Sequence, residues 1–192
     1  MLAAAMLGKQ NIFLIGPMGS GKSAVGKYLS RLVRAPFFDS DSEIERRTGV
    51  DIPYIFEKEG EAGFRQRERE TLDALTADGP MVLATGGGAV LLPENRVFLS
   101  ERGCVVYLKT SVAQQVYRVK HARNRPLLNN VDPGEKLEQL MRVRAPIYEA
   151  LADVTVSTDG RRVRIVAEEI MRALKDSFPE QSAPPPPTTS EG

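Results

Sequence analysis

The chain has 192 residues, with 26 Lys and Arg against 25 Asp and Glu and a formal net charge of +1, so neither a nucleic-acid coat nor a polybasic membrane patch is expected. Hydrophobic residues make up 42% and charged residues 27%; a chain this long buries roughly 70% of its unfolded surface in one core, and one compact domain is the expectation. The single cysteine, Cys104, excludes an intrachain disulfide framework and a cysteine-based metal cluster, fits a reducing cytoplasmic compartment, and reads as a small buried hydrophobe in GCVVYL.

Taken in chain order, the start MLAAAMLGKQ is apolar but lacks a basic leader and passes directly into a strand-like run. It reads as a flexible terminus over 1–9 rather than a signal peptide. No apolar run approaches the roughly 18 residues of a membrane span. The first predicted strand is Asn11 to Ile15, followed at once by Gly16-Pro17-Met18-Gly19-Ser20-Gly21-Lys22-Ser23. That run satisfies GxxxxGK[ST] between a strand and a helix, the context that gives the motif its meaning. Glycines let backbone N–H groups close on phosphate oxygens, the next helix adds the positive end of its dipole, Lys22 reaches the β- and γ-phosphates, and the Ser23 hydroxyl ligates Mg²⁺.

A helical stripe follows at Val25, Tyr28, Leu29, Leu32 and Val33, then a second strand over Pro36 to Phe38. Phe37-Phe38-Asp39-Ser40-Asp41 brings two carboxylates to the C-terminal end of that strand, where open α/β sheets bind ligands. If the extended run continues through 41, both point toward one site; the alternative is a cap on the helix around Ser42 to Arg47. Arg65 lies three residues before Glu68, close enough to be held on one helix face. The third strand, Met81 to Ala84, leads into Thr85-Gly86-Gly87-Gly88-Ala89, where three glycines allow backbone to approach an anion; a flexible turn is the alternative.

Cys104 to Leu108 is the fourth strand, and Val112, Val116 and Val119 begin another helical stripe. His121 to Gly134 is polar, rich in Arg and Asn, with two prolines, of a size used for active-site lids. It and the helix before it supply Arg118, Arg123 and Arg125, any of which could meet the charge of a transferring phosphoryl group; a solvated basic loop is the alternative. His121 alone makes no metal site. The next stripe, Leu137, Leu140, Met141 and Tyr148, includes Arg144 where an apolar residue is expected, so that guanidinium needs a partner. Arg65 and Arg144 suit a bidentate grip on a carboxylate, with structural salt bridges as the alternative. Val154 to Val156 is the fifth strand, Val163, Val166, Ile170 and Leu174 the last stripe, and the proline-rich end cannot bury enough apolar surface to order itself. Strand alternating with helix implies a mostly parallel sheet covered on both faces.

The motifs GPMGSGKS, FFDSDSEIERRTG, IFEKEGEAGFRQRE, TGGGAV, RPLL and RAPIYEALAD stand in the order and spacing of one family. Across about residues 10 to 175 the sequence resembles shikimate kinase, of the nucleoside-monophosphate-kinase-like P-loop group. The resemblance implies an α/β single-domain P-loop fold with a five-stranded parallel sheet, helices on both faces and a mobile lid. In that reading 10–176 is the kinase domain, with the lid at about 119–133, and 177–192 is a disordered tail. It implies ATP-dependent phosphorylation of the 3-hydroxyl of shikimate, a step toward chorismate and the aromatic amino acids, by a cytoplasmic monomer with Mg²⁺ and no nucleic-acid or membrane partner.

By motif match, Asp41 binds the reacting hydroxyls and is the general base; Arg65, Arg144 and the turn Gly86, Gly87, Gly88 hold shikimate's carboxylate; Ile52 and Phe56 line its pocket. Gly19, Ser20, Gly21, Lys22, Ser23 and Ala24 bind ATP, Arg118 stacks on adenine, Arg125 contacts the phosphates, and Asp39 with Ser23 supports Mg²⁺. Asp159-Gly160-Arg161-Arg162-Val163 departs from the family pattern at the adenine edge. The rival readings are another small-molecule kinase, such as a gluconate or nucleotide kinase, and a nucleotide-sensing regulatory protein.

Overall fold

The structure is a computed structural model and describes residues 11–119 and 132–177. Five parallel strands, β1 (Asn11–Ile15), β2 (Phe37–Asp39), β3 (Val82–Ala84), β4 (Gly103–Lys109) and β5 (Val154–Ser157), form one sheet in the order β2-β3-β1-β4-β5. This is the expected architecture, with strand ends shifted by a residue or so. Pro36 stays outside β2 because it has no N–H for the ladder, although its carbonyl accepts from the Val82 N–H at 2.9 Å.

Between the strands lie α1 (Lys22–Val33), α2 (Ser40–Thr48), α3 (Ile52–Thr76), α4 (Pro93–Arg102), α5 (Val112–Val119), α6 (Pro133–Leu151) and α7 (Val163–Ser177). Strand alternation divides the core in two. Ile12 and Leu14 face one side with Val25, Leu29 and Val33 of α1 and Val166, Ile170 and Leu174 of α7. Phe13 and Ile15 face the other with Leu72 of α3, Leu99 of α4 and Tyr148 of α6. Cys104 is fully buried in the first layer, as expected. Leu32 and Val163, expected in helical stripes, lie at helix ends beyond the packed layer and stand 41% and 37% exposed.

A third cluster, Ile44, Ile55 and Phe64, binds α2 to α3 away from the sheet. Helix α3 is broken at Gly60, whose φ of 69° and ψ of −174° are not helical. The register places Leu14, Ala84 and Asp39 side by side across β1, β3 and β2. The residues that follow each of them therefore emerge together at one sheet edge.

The expected flexible start over 1–9, the lid's His121, Arg123, Arg125 and RPLL, and the proline-rich run lie outside the described residues; at the edges of the expected segments the chain is ordered instead, because Val119 closes α5, Asp132 caps α6 at Pro133, and α7 runs on through Ser177.

Candidate active site

Gly21 adopts φ 91° and ψ 16° as the residue before α1, a left-handed conformation that glycine takes at little steric cost. The loop thereby wraps the start of the helix and aims N–H groups into its own hollow. The Lys22 ammonium arches over this loop, donating to the Gly16 and Pro17 carbonyls at 2.7 and 2.8 Å. Ser20 is fully buried beneath the loop, its hydroxyl 3.4 Å from the same ammonium.

The two acidic residues after β2 do not share one extended face. The strand ends at Asp39, paired with Ala84, and α2 begins at Ser40. Asp39, not Asp41, is the cap: its Oδ1 accepts from the Asp41 and Ser42 N–H groups at 3.2 and 3.4 Å. Its Oδ2 accepts from the Ser23 hydroxyl at 2.6 Å. Asp41 is carried in the first turn of α2, which directs it to the glycine turn instead.

At Gly86 a side chain would crowd its neighbours. A Cβ on Gly86 would lie 2.7 Å from Asp41 Oδ1 and 2.7 Å from Glu68 Oε1, so two carboxylates converge on this backbone. The Gly86 N–H is already committed to the buried Ser40 hydroxyl at 2.8 Å, leaving the Gly87 and Gly88 amides as the turn's donors. Arg65 lies against Gly88 and pairs with Glu68 in the same helix, the i,i+3 arrangement expected from spacing. Glu61 touches its other side at 3.3 Å, and the Phe64 ring stands 5.1 Å from it.

Glu68 is fully enclosed. Burial pushes its carboxyl up to about 7 despite the Arg65 guanidinium against it, and Asp41 adds repulsion in the same direction. Desolvation of a closed-in carboxylate outweighs one ion pair here. Arg144 on α6 is only 5% exposed, its guanidinium beside Gly87.

On the opposite flank, Arg118 of α5 donates to the Gly19 carbonyl at 2.8 Å and to the Thr158 carbonyl at 2.9 Å. It therefore braces the tip of the phosphate loop against the chain after β5. The stretch there that departs from the family pattern anchors the neighbouring helices. Asp159 accepts from the Thr110 hydroxyl and the Ser111 N–H at the start of α5, and Arg161 pairs with Glu169 of α7.

These groups surround one cleft of about 520 Å³. Its wall includes Gly19, Gly21, Lys22, Ser23, Ala24 and Arg118 on one side, and Asp39, Asp41, Arg65, Arg144 and Gly86 to Gly88 on the other, with Ile52 and Phe56 as apolar lining. All the site residues expected from sequence are brought together except Ser20, which lies under the loop, and Arg125, which is outside the described residues. From sequence, Glu68 reads only as a support for Arg65; its approach to Asp41 spans two helices and has no local signal. Among the described residues no three His, Cys, Asp or Glu side chains cluster as metal ligands. The Ser23 and Asp39 oxygens, 2.6 Å apart, nevertheless suit a magnesium ion that keeps its waters and takes phosphate oxygens, since such an ion needs only one or two protein groups.

Comparison with known proteins identifies a family. The shikimate kinase family model matches residues 18–175. The chain is 53% identical over 177 residues to shikimate kinase of Thioalkalivibrio sulfidiphilus, covering 90% of this chain and 93% of that one. To the shikimate kinase of Methylococcus capsulatus it is 52% identical over 172 residues, covering 90% and 96%. Among solved structures, shikimate kinase from Acinetobacter baumannii in complex with shikimate superposes with a TM-score of 0.89 at 46% identity, covering 93% of this chain and 99% of that one.

Proposed function

The chain belongs to the shikimate kinase family, and on that premise we propose how its own residues carry out the reaction. It is a kinase that phosphorylates shikimate with ATP, a step of aromatic amino acid biosynthesis. The observation that carries the residue assignments is the cleft itself. A phosphate loop lines one wall, and two arginines with a side-chain-free turn line the other.

Shikimate's carboxylate is gripped by Arg65, Arg144 and the available amides of the Gly86 to Gly88 turn, an arrangement that suits a planar anion. Ile52 and Phe56 cover the ring. This leaves the 3-hydroxyl toward Asp41, which accepts its proton as the oxygen attacks the γ-phosphorus. The new P–O bond forms while the bond from that phosphorus to the β-phosphate oxygen breaks, giving shikimate 3-phosphate, ADP and a proton. Gly19 to Ala24 hold the ATP phosphates, Lys22 moves its ammonium charge from the loop carbonyls onto them, and Arg118 lies against the adenine. Arg125, outside the described residues, is assigned to the phosphates on its motif. Ser23 and Asp39 would hold Mg²⁺, which would neutralise charge between the phosphates. Most of the rate then comes from positioning and electrostatics.

Among the described residues no helix is long and apolar enough to cross a membrane. We assign the enzyme to the cytoplasm as a monomer without nucleic-acid or membrane partners. Sedimentation at micromolar concentration checks the oligomeric state; a stable dimer would refute that part.

The test of the function is a coupled ADP-release assay with ATP and Mg²⁺ against shikimate, gluconate, nucleoside monophosphates and no acceptor. Turnover with shikimate alone, lost in Asp41→Asn, is expected. Turnover with gluconate instead, or turnover indifferent to Asp41, would overturn the reading.

A further inference from the structure

The glycine turn owes its shape to more than its own sequence. Three consecutive glycines have the widest conformational freedom in the chain, yet the turn must hold its two available amides still to recognise an anion. The Ser40 hydroxyl takes the Gly86 N–H at 2.8 Å, and the Ala89 N–H returns to the Gly86 carbonyl at 3.1 Å. The central peptide is held from elsewhere: the Tyr148 hydroxyl donates to the Gly87 carbonyl. A planar trans peptide sets the next N–H antiparallel to its carbonyl, so this bond orients the Gly88 amide.

Tyr148 is fully buried and is not part of the cleft wall. Its ring stacks on Tyr107 at 5.1 Å between centroids, and burial raises its hydroxyl above the ordinary tyrosine value, so it stays a donor. Arg144 lies one helical turn earlier on α6, on the same face, close enough for its charge to act on the same hydroxyl. One rigid helix thus sets both the guanidinium and the amide that meet the carboxylate.

We infer that Tyr148 is a positioning residue for the acceptor: through its bond to the Gly87 carbonyl it pre-organises the glycine turn and so sets shikimate affinity, without touching substrate. This rests on the assignment of Arg144 and the turn to the carboxylate.

The test is Tyr148→Phe, which keeps the ring in its stack and removes only the hydroxyl. One net hydrogen bond corresponds to about 3- to 10-fold in an equilibrium constant, so the shikimate KM and calorimetric Kd rise by about that factor. The ATP KM and kcat stay within about twofold, since no nucleotide contact changes. Ser40→Ala, which releases the other end of the turn, moves the same constant. Tyr107→Phe, which removes the hydroxyl of the other ring in the stack and does not reach Gly87, leaves it unchanged. A folded Tyr148→Phe with normal shikimate affinity overturns the inference, as does an equal rise in both KM values or an equal effect of Tyr107→Phe. If Tyr148→Phe is recovered unfolded, Ser40→Ala decides, and normal shikimate affinity there overturns the inference. Arg144→Ala separates the two claims: if it leaves shikimate affinity intact the carboxylate assignment fails, whereas a large effect there with a silent Tyr148→Phe sinks only the role of Tyr148.

Discussion

The Ser23 hydroxyl donates to Asp39 Oδ2 at 2.6 Å, tying the phosphate-binding helix α1 to the helix that carries Asp41. The other oxygen of the same carboxylate caps α2. One side chain thus locks the two walls of the cleft together. Asp39→Ala loses the cap and is expected to cost about 1 kcal/mol of stability, while Asp39→Asn retains most of it. Both are expected to raise the Mg²⁺ concentration for half-maximal activity. Melting curves and Mg²⁺ titrations check the pair; an Asn variant with a normal Mg²⁺ requirement would remove Asp39 from the metal.

On the proposed mechanism, Asp41→Asn removes the proton acceptor while keeping shape. General-base catalysis contributes typically about 10² to 10⁴, so kcat is expected to fall by that range with ATP affinity retained. Single-turnover measurements report the chemical step, and a loss below about tenfold, outside the general-base range, would mean that Asp41 only positions the hydroxyls.

If the proposed carboxylate grip holds, Arg65→Ala and Arg144→Ala each delete charge-assisted hydrogen bonds to the acceptor, worth about 1.5 to 3 kcal/mol, so the shikimate KM is expected to rise about 10- to 150-fold in each. The ATP KM changes little. Because Arg65 also neutralises the enclosed Glu68, Arg65→Ala is further expected to lower the melting temperature. Unaltered shikimate KM in both variants would dismiss the carboxylate grip.

Glu68 makes stability depend on pH. Burial raises its carboxyl from 4.5 to about 7, so the folded chain holds this proton more tightly than the unfolded one. Its contribution is therefore fully present below about pH 4.5 and is lost as pH rises through about 7, on the order of 3 kcal/mol. Glu68→Gln cannot release a proton. The melting temperature of the wild type minus that of the variant is expected to fall between about pH 4.5 and 7.5; a flat difference would show that Glu68 is ionised throughout.

Local pattern carried much of the architecture. The five strands announced themselves as short β-branched runs, and the phosphate loop as a motif between a strand and a helix. Arg65 with Glu68 was legible because three residues on a helix bring side chains together whatever the rest of the chain does. Arg144 stood out as a charge in an apolar stripe. Helices α3 and α4 had no such signature: Ile55, Phe64 and Leu72 are widely spaced among charges, and Gly60 interrupts the period. The choice of Asp39 over Asp41 as cap depended on where β2 stops, and that is set by its pairing with β3.

The sequence by itself determined the five strands, the helices with an unbroken apolar stripe, the phosphate-binding motif, and which residues could meet a carboxylate, because these follow from periodicity and from groups within a few residues of each other. The tertiary structure decided which of those groups face one another. Glu68 approaches Asp41 from another helix, Arg118 braces Gly19 across 99 residues, and Tyr148 reaches Gly87 across 61. Such contacts arise from how the layers pack, and a buried polar group finds its partner only when packing has removed the water it would otherwise bind.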